Sequence, residues 1–307
     1  MDASDNSLWV LLVAVIGGAI RVGTPFIFVS LGECLTEKSG RINLGLEGNL
    51  IMGAMSAYAV SYLTGSPWLG VLAAAGSGCI LGAVHALLCQ HPKVNDIALG
   101  IAMMLFATGL AFFFGKPFIQ PSAPHLPSVS LGAWSDWPVL KSALDINLLF
   151  FVGVALAPFI AWFLKSTRPG NRVRIAGESS DAALAMGLSV NRLRFFSTVV
   201  GGAMASSVGG SYLSLFYPGS WSEGLSSGQG LMAVALVIFA RWDPIKCLYA
   251  SFLFGSAAAL GPALQSVGVT SGYYLFNAAP YVLTLIIMIA TSNNTGTIKG
   301  MPGEFVK

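Results

Sequence analysis

Charged residues are scarce in this chain: aspartate, glutamate, lysine and arginine together make up 9% of its 307 residues. Soluble globular proteins carry about 25% charged residues, so this scarcity excludes an ordinary soluble domain. Hydrophobic residues account for 55%, and the 36 glycines suit helices that pack closely in a bilayer. The composition therefore predicts an integral membrane protein of the all-α class.

Motifs for nucleotide, metal and covalent chemistry are also missing. The chain has no GxxxxGK(S/T) motif for binding ATP, and its histidines lack the spacing of metal ligands. The four cysteines have no paired spacing, and no serine, histidine and aspartate pattern indicates nucleophilic catalysis. The net charge of +3 is spread over the loops and does not indicate nucleic-acid binding. We therefore predict no enzyme, no cofactor, no metal site and no nucleic-acid partner.

Long apolar stretches dominate the rest of the chain. A membrane-spanning helix needs about 20 mostly apolar residues. Nine stretches approach that length, namely residues 8–31, 43–63, 68–88, 97–114, 146–164, 195–217, 230–240, 245–264 and 273–290. The stretch 230–240 is short, and a broken helix there can change the count by one. We expect one membrane domain over residues 1–307, a polytopic bundle in a lipid bilayer with about nine spans (roughly eight to ten).

One connecting loop, residues 165–194, is strongly polar. Its basic residues are Lys165, Arg168, Arg172, Arg174, Arg192 and Arg194, against Glu178 and Asp181. Positively charged loops stay on the cytoplasmic side of the membrane. Counting spans in both directions places the loops 36–41, 91–93 and 241–246 on the same side, and each has a basic excess. We expect these loops in the cytoplasm and the long loop 115–145 outside it.

The middle of this polar loop predicts a short helix. The residues that favour it are Glu178, Asp181, Ala182, Ala183 and Ala185, with Gly187 as its stop. A membrane protein that places a small helix in the cytosol presents it to a soluble partner. We therefore predict a docking surface in this loop.

Polar residues inside apolar spans cost free energy unless they are paired or face water. Asn43 and Glu47 open the second span, and their four-residue separation places both on one helical face. They either line a translocation path or form a cluster that caps and packs a helix, and the sequence leaves both interpretations open. Asn95 and Asp96 precede the fourth span, where asparagine is typical of a helix N-cap. A direct contact with a transported solute is the alternative.

The three aromatic residues Phe216, Tyr217 and Trp221 predict side chains at the outer membrane interface, or a shelf on which a sugar or base can stack. The glycine-rich segment that contains Gln229 predicts non-helical backbone at membrane depth. The candidate translocation residues are Asn43, Glu47, Asn95, Asp96, Phe216 and Gln229.

Four segments carry a family resemblance. They are SGRINLGLEG, TRPGNRVRIAGESSDAALAMGLSVNRLRFF, GLSSGQGLMAVALVIFARWDPIKCLYASFLFG and FNAAPYVLTLIIM. In this order, and over nearly the whole chain, they resemble the permease subunits of bacterial ABC importers for nucleosides, ribose and other simple sugars. The same superfamily includes the branched-chain amino acid permeases, and the first segment is most similar to the nucleoside-type branch. The chain differs in STRPGNRVRIAGESS, where related chains usually carry a bulkier Phe-Gly or Tyr-Gly segment, and in Asn95-Asp96, where they carry Asn-Glu.

The resemblance implies a multi-pass permease of the bacterial inner membrane with several partners. These are a second permease, identical or similar, two cytoplasmic ATP-binding cassette subunits and an extracytoplasmic solute-binding protein. The ATPases would bind the coupling region through Gly177, Glu178, Ala182, Ala183, Ala185 and Gly187. The implied solute is a nucleoside or purine first and a simple sugar second, with a vitamin such as riboflavin as a third candidate. The residues alone leave open a stand-alone secondary transporter or channel in which Glu47 and Asp96 relay ions or protons.

Overall fold

The computed structural model describes residues 3–129, 145–266, 278–291 and 300–305. Its α-helices are α1 (Ala3–Lys38), α2 (Leu46–Thr64), α3 (Pro67–Leu88), α4 (Asp96–Gly115), α5 (Leu148–Ser166), α6 (Arg168–Glu178), α7 (Ser180–Ala185), α8 (Val190–Met204), α9 (Ser211–Leu215), α10 (Gln229–Phe239), α11 (Pro244–Ser266) and α12 (Ala279–Thr291). A π-helical segment, Ala205–Gly210, joins α8 to α9, and 3-10 turns cover Lys116–Phe118 and Gly303–Phe305. Two short strands, β1 (Ser128–Val129) and β2 (Ile146–Asn147), pair antiparallel. The prediction of an all-α bundle is confirmed.

Five of the described helical segments are long and apolar enough to cross a membrane. They are Leu11–Lys38, Pro67–Leu88, Asp96–Phe118, Leu148–Ser166 and Pro244–Gln265. The predicted spans 43–63 and 195–217 correspond to α2 and to the α8–π–α9 run, and 230–240 corresponds to the short α10. The predicted span 273–290 begins outside the described residues, and residues 130–144 of the predicted loop 115–145 also lie outside them. The multi-pass character is confirmed, and the count of nine stays a prediction.

Glycines allow the central helices to approach one another closely. A Cβ atom on Gly32 of α1 would lie 2.6 Å from the carbonyl oxygen of Gly201 in α8. A Cβ atom on Gly53 of α2 would overlap the carbonyl oxygen of Ser206 in the π-helical segment. Because the opposing atoms belong to the backbone, they cannot rotate away as a side chain can. Both positions therefore require glycine, as expected for helices that pack closely in a membrane.

The loops with a predicted basic excess meet at one end of the bundle, which we call the basic end. Arg194 Nε donates to the carbonyl oxygen of Ser39 at 3.1 Å and joins the polar loop 165–194 to the end of α1. Lys165 Nζ lies 3.8 Å from an oxygen of Asp243 and joins the same loop to the turn before α11. The charge pattern therefore sorted these loops correctly, although they lie far apart in sequence.

The loops predicted outside the cytoplasm meet at the opposite end. Ser61 Oγ donates to the carbonyl oxygen of Pro124 at 2.9 Å, which ties the end of α2 to the loop after α4. Trp221 Nε1 donates to the carbonyl oxygen of Gly115 at 3.0 Å, which ties the segment before α10 to the end of α4. The bundle thus has a basic end and an opposite end, with the apolar helices between them.

Candidate functional site

The connection from α1 to α2 re-enters the bundle. Residues 39–45 are non-helical, and Leu46, the first residue of α2, belongs to a buried cluster with Val29 of α1 and Ala233 of α10. Helix α2 therefore begins inside the protein and not at its surface. Non-helical backbone is tolerated at this depth only where it is enclosed by protein or lines a cavity.

Asn43 lies in this re-entrant segment and not on α2. Its backbone N–H donates to Glu33 Oε1 at 2.8 Å, and its side-chain Oδ1 accepts from the N–H of Gly45 at 2.9 Å. The prediction that Asn43 and Glu47 share one helical face is therefore wrong. The helix starts at Leu46 because the backbone before it bonds to these two side chains instead of continuing a helix.

Glu47, in the first turn of α2, holds the beginning of α10. Its carboxylate accepts hydrogen bonds from the N–H of Gly230 at 2.6 Å, from the N–H of Gly228 at 3.0 Å and from Ser226 Oγ at 2.5 Å. The predicted non-helical backbone before α10 is confirmed, since residues 219–228 contain no helix. A carboxylate at a helix N-terminus satisfies free N–H groups and interacts favourably with the helix dipole. Glu47 therefore joins α2 to a half-length helix that begins within the bundle.

Two polar atoms beside this contact are buried and, within the described ranges, have no hydrogen-bond partner. They are Asn43 Nδ2, four residues before Glu47, and Gln229 Oε1, one residue before Gly230. We call Asn43, Glu47, Gln229 and Gly230 the α2–α10 junction. An unpaired buried polar group costs about 1–3 kcal/mol, and a ligand that bonds to it recovers that cost. Asn43 Nδ2 is a donor and Gln229 Oε1 is an acceptor, so the junction can bond to both kinds of ligand group.

Asn95 and Asp96 lie at the beginning of α4. Asn95 Oδ1 accepts from the N–H groups of Ile97 and Ala98 at 2.9 and 3.0 Å, so the N-cap interpretation is confirmed. Asp96 Oδ1 lies 2.7 Å from Arg41 Nη1, and both side chains are largely buried. This ion pair ties the re-entrant segment to α4, so Asp96 already has a cationic partner.

Phe216, the sixth predicted pathway residue, lies at the opposite end. It follows α9, and its ring packs on that of Tyr212 with 5.0 Å between centroids. Trp221 is buried, so the expectation of an interfacial aromatic is wrong for this residue. Its indole fills a closed space and donates to a backbone carbonyl of α4. Tyr217 is exposed, and the Arg21 guanidinium lies 5.4 Å from its ring centroid.

Helix α1 carries a buried acidic pair, Glu33 and Glu37, that is absent from the predicted site residues. The apolar stretch ends near residue 31, but the helix continues to Lys38 and carries Glu33 and Glu37 into the interior. Glu37 accepts a hydrogen bond from the indole N–H of Trp242, which follows α10. The signal was available, because two glutamates four residues apart lie on one helical face. Residues 36–38, predicted as part of a loop, belong to the end of this helix.

The predicted coupling helix is divided in two. Gly177 and Glu178 are the last residues of α6, so the prediction that Glu178 belongs to the same helix as Ala182, Ala183 and Ala185 is wrong. Ser179 has an extended backbone, and its hydroxyl accepts from the N–H of Ala182 at 3.2 Å, which caps α7. The serine therefore ends one helix and starts the next. Gly187 follows α7 with φ +73°, a left-handed conformation typical of a helix stop, as predicted.

Helix α7 turns apolar side chains away from the protein. Ala183 is buried in a small cluster with Ala176 and Val190, whereas Leu184 and Met186 are 61% and 55% exposed. The other predicted coupling residues divide in the same way: Glu178, Ala182, Ala185 and Gly187 are exposed, and Gly177 is buried. Large apolar side chains on the polar end of a membrane protein indicate a surface that binds another protein.

The C-terminal residues 300–305, which we call the C-terminal clasp, hold this region from the side. Glu304 Oε1 accepts from the N–H and the hydroxyl of Ser180 at 2.8 and 3.0 Å, and Oε2 lies 3.2 Å from Arg194 Nη2. The Arg194 and Glu304 side chains are 12% and 16% exposed. Burial and the nearby charge of Arg41 lower the pKa of Arg194 from its ordinary value, whereas Glu304 opposes that shift.

The clasp also contacts two other parts of the basic end. Lys38 Nζ donates to the carbonyl oxygen of Gly300 at 3.0 Å, and Gly303 packs against the backbone of Glu178. The clasp therefore joins α1 to the junction of α6 and α7. No local sequence pattern predicts these contacts, because they join residues more than a hundred positions apart.

Comparisons with known proteins agree with this architecture. Residues 15–292 match the family described as Branched-chain amino acid transport system / permease component. That range contains the α2–α10 junction and both helices of the coupling region, whereas the clasp lies beyond it.

Several relatives are similar over most of their length. A putative glucose ABC transporter permease, TsgC13 of Haloferax volcanii, is 31% identical over 83% of this chain and 79% of its own length. The nucleoside ABC transporter permease NupC of Lactococcus lactis is 30% identical over 90% of this chain and 92% of its own length. The guanosine ABC transporter permease NupQ of Bacillus subtilis is 29% identical over 91% of this chain and 92% of its own length.

The two bacteria just named each have a second similar permease. The L. lactis nucleoside permease NupB is 24% identical over 97% of this chain, and the B. subtilis guanosine permease NupP is 24% identical over 91%. In both organisms one of the two permeases is thus closer to this chain, NupC in one and NupQ in the other.

Proposed function

The chain belongs to the family of branched-chain amino acid transport permease components, and we propose that it forms a solute pathway of an ATP-driven importer in a bacterial inner membrane. It is a permease subunit of an ABC transporter for a nucleoside or a simple sugar, as its relatives are named. Because its sequence has no ATP-binding motif, ATP hydrolysis belongs to separate subunits. A stand-alone secondary transporter is not favoured, since these relatives are named as components of ABC transporters.

The exposed apolar pair formed by Leu184 on α7 and Met186 directly after it is the observation that carries the ATPase partnership. Both side chains are exposed at the basic end, and α7 is held by the small cluster behind it and by Glu304. A rigidly held helix can transmit movement of a bound ATPase to the membrane helices. In this arrangement, closure of two ATPase subunits moves α7, and the bundle changes between outward-facing and inward-facing states. The residues Glu178, Ala182, Ala185 and Gly187 complete the proposed contact surface.

The test is co-purification of the ATPase with a permease variant. We expect Leu184→Ser/Met186→Ser to reduce recovery of the ATPase subunit at least tenfold, because two buried apolar side chains contribute on the order of 1.5–3 kcal/mol each. Leu63→Ser is the control, since Leu63 is equally apolar and exposed but lies at the opposite end. Unchanged recovery from the double variant would exclude this surface as the ATPase contact.

The α2–α10 junction is our proposed translocation site. A helix that begins inside the bundle places the positive end of its dipole at depth, a feature of solute sites in transporters built from broken helices. Asn43 Nδ2 and Gln229 Oε1, which have no hydrogen-bond partner among the described residues, provide one donor and one acceptor beside the Glu47 contact. We propose that Asn95 and Asp96 line the pathway towards the basic end and that Phe216 lines it towards the opposite end. Such weak polar contacts suffice if a solute-binding protein delivers the solute.

A nucleoside is the solute we propose, because the relatives NupC and NupQ match over nine-tenths of both chains. Uptake of radiolabelled guanosine and glucose by cells that express the complete transporter distinguishes the two solute classes. We expect guanosine uptake, and a tenfold loss of it in the double variant Asn43→Ala/Gln229→Ala. The control is the exposed polar residue Asn191, changed to alanine in the coupling region. Uptake of glucose alone would place the chain in the sugar branch.

The second permease is proposed to be a different chain. In three organisms the relatives include two permeases named for the same solute, and in each of them this chain is closer to one of the two. We therefore expect this chain to pair with a permease of the NupB and NupP type. Two copies of the chain with different tags, co-expressed with such a partner, should each recover the partner and not each other. Mutual recovery of the two copies would indicate a homodimer instead.

A further inference from the structure

A groove between α10 and α11 opens at the basic end. It encloses about 340 Å³ and is lined by Phe239, Ala240, Arg241, Lys246, Tyr249, Ala250 and Leu253. Lys246, Tyr249 and Leu253 follow one face of α11 at positions i, i+3 and i+7. Leu253 therefore lies about 10 Å deeper along the helix than Lys246, at 1.5 Å per residue. The groove has a cationic mouth at the membrane surface and an apolar floor that runs into the membrane.

The two cations at the mouth are available for a ligand. In the part of the chain that the structure describes, neither the Arg241 guanidinium nor the Lys246 ammonium has a hydrogen-bond or ion-pair partner. The nearest acidic residue in sequence, Asp243, is instead directed to Lys165 and to backbone N–H groups of α11. The mouth of the groove therefore keeps a local positive charge.

We propose that this groove binds an anionic phospholipid, with its phosphate between Arg241 and Lys246 and an acyl chain along Tyr249 and Leu253. A ligand of this site must combine a negative charge with an apolar chain, because the cationic mouth and the apolar floor are continuous. A lipid of the surrounding leaflet meets both requirements and reaches the groove laterally. Basic pockets between helices at the membrane surface recognise anionic headgroups in this way. The lipid would hold the short α10, whose other end Glu47 fixes, against α11.

Native mass spectrometry of the full-length chain, delipidated in detergent and mixed with equal amounts of phosphatidylglycerol and phosphatidylcholine, tests the proposal. We expect one retained phosphatidylglycerol per chain, and about a 30-fold weaker retention in Arg241→Gln/Lys246→Gln, the effect of two basic side chains at an anionic surface. The control Lys93→Gln/Lys116→Gln removes the same charge from exposed positions outside the groove. The control should retain the lipid as the wild type does.

A second variant keeps the test independent of charge. Leu253→Trp fills the apolar floor without altering the mouth, and we expect it to reduce phosphatidylglycerol retention at least tenfold. Equal retention of both lipids by the wild type would overturn the proposal, as would equal loss from the groove variant and the control. Inorganic phosphate that displaces the lipid completely would show that the mouth binds a free anion and not a phospholipid.

Discussion

Loss of the Glu304 carboxylate should release α7 from the bundle while the bundle itself stays folded. The carboxylate accepts two hydrogen bonds from Ser180 and pairs with Arg194. A hydrogen bond to a charged group contributes about 1.5–3 kcal/mol, and solvent replaces part of that at a site that is not fully buried. We expect Glu304→Ala to lower the free energy of local opening at Ser180 by about 2–3 kcal/mol.

Hydrogen exchange of the peptide that covers residues 179–182 measures this opening directly. A change of about 2–3 kcal/mol corresponds to roughly 30- to 150-fold faster exchange at the Ser180 amide. Glu304→Gln keeps one acceptor oxygen but loses the charge that faces Arg194, so it should have an intermediate effect. In the assembled transporter, a loosely held α7 should raise the ATP hydrolysed per solute transported. A smaller amount of protein would lower ATP hydrolysis and transport together and leave this ratio unchanged, so the ratio measures coupling.

The control is Glu223→Ala, which removes an exposed carboxylate at the opposite end. It should leave both the exchange rate and the transport ratio unchanged. If Glu304→Ala folds normally and residues 179–182 exchange at the wild-type rate, the clasp does not position the coupling helix and the reasoning is refuted.

Three other perturbations test the junctions of the bundle. Glu47→Gln should lower the free energy of unfolding in detergent by about 1–2 kcal/mol, because a neutral side chain binds the N-terminus of α10 more weakly. Unchanged stability together with lost transport would indicate that Glu47 contacts the solute instead. Gly53→Ala should cost at least about 1–3 kcal/mol because its Cβ meets backbone. Gly76→Ala, with open space around it among the described residues, should be neutral or stabilising in the same melting assay. Arg41→Asp should abolish uptake, and the additional change Asp96→Arg should restore part of it by re-forming the ion pair with reversed charges. No restoration would show that uptake does not depend on this ion pair.

The sequence alone predicted the all-α membrane class, the positions of most spans and the sorting of loops between two ends. Each follows from local physics. Burial in lipid requires continuous apolar stretches, and basic residues in short loops resist translocation. The stop at Gly187 and the cap at Asn95 were predicted for the same reason, because a helix end is decided by a few neighbouring residues.

Two predictions about helix boundaries inside the bundle were wrong. Asn43 was placed on a helix because its neighbours are apolar, but it belongs to a non-helical segment that bonds to Glu33. The first predicted span ends at residue 31, although the helix continues to Lys38 and the buried Glu33 and Glu37 accept hydrogen bonds from Asn43 and Trp242. Local hydrophobicity contains no information on such partners.

The tertiary structure decided which polar residues work together. Glu47 has three partners about 180 positions away, and Glu304 is separated from Ser180 by 124 positions. A buried carboxylate is stable only where donors converge on it, and that convergence is set by how the helices pack. The sequence determined that this chain lives in a membrane and presents a helix at its basic end. Only the packing of the helices determined that Asn43 Nδ2 and Gln229 Oε1 are buried without a hydrogen-bond partner among the described residues, and which residues hold that helix in place.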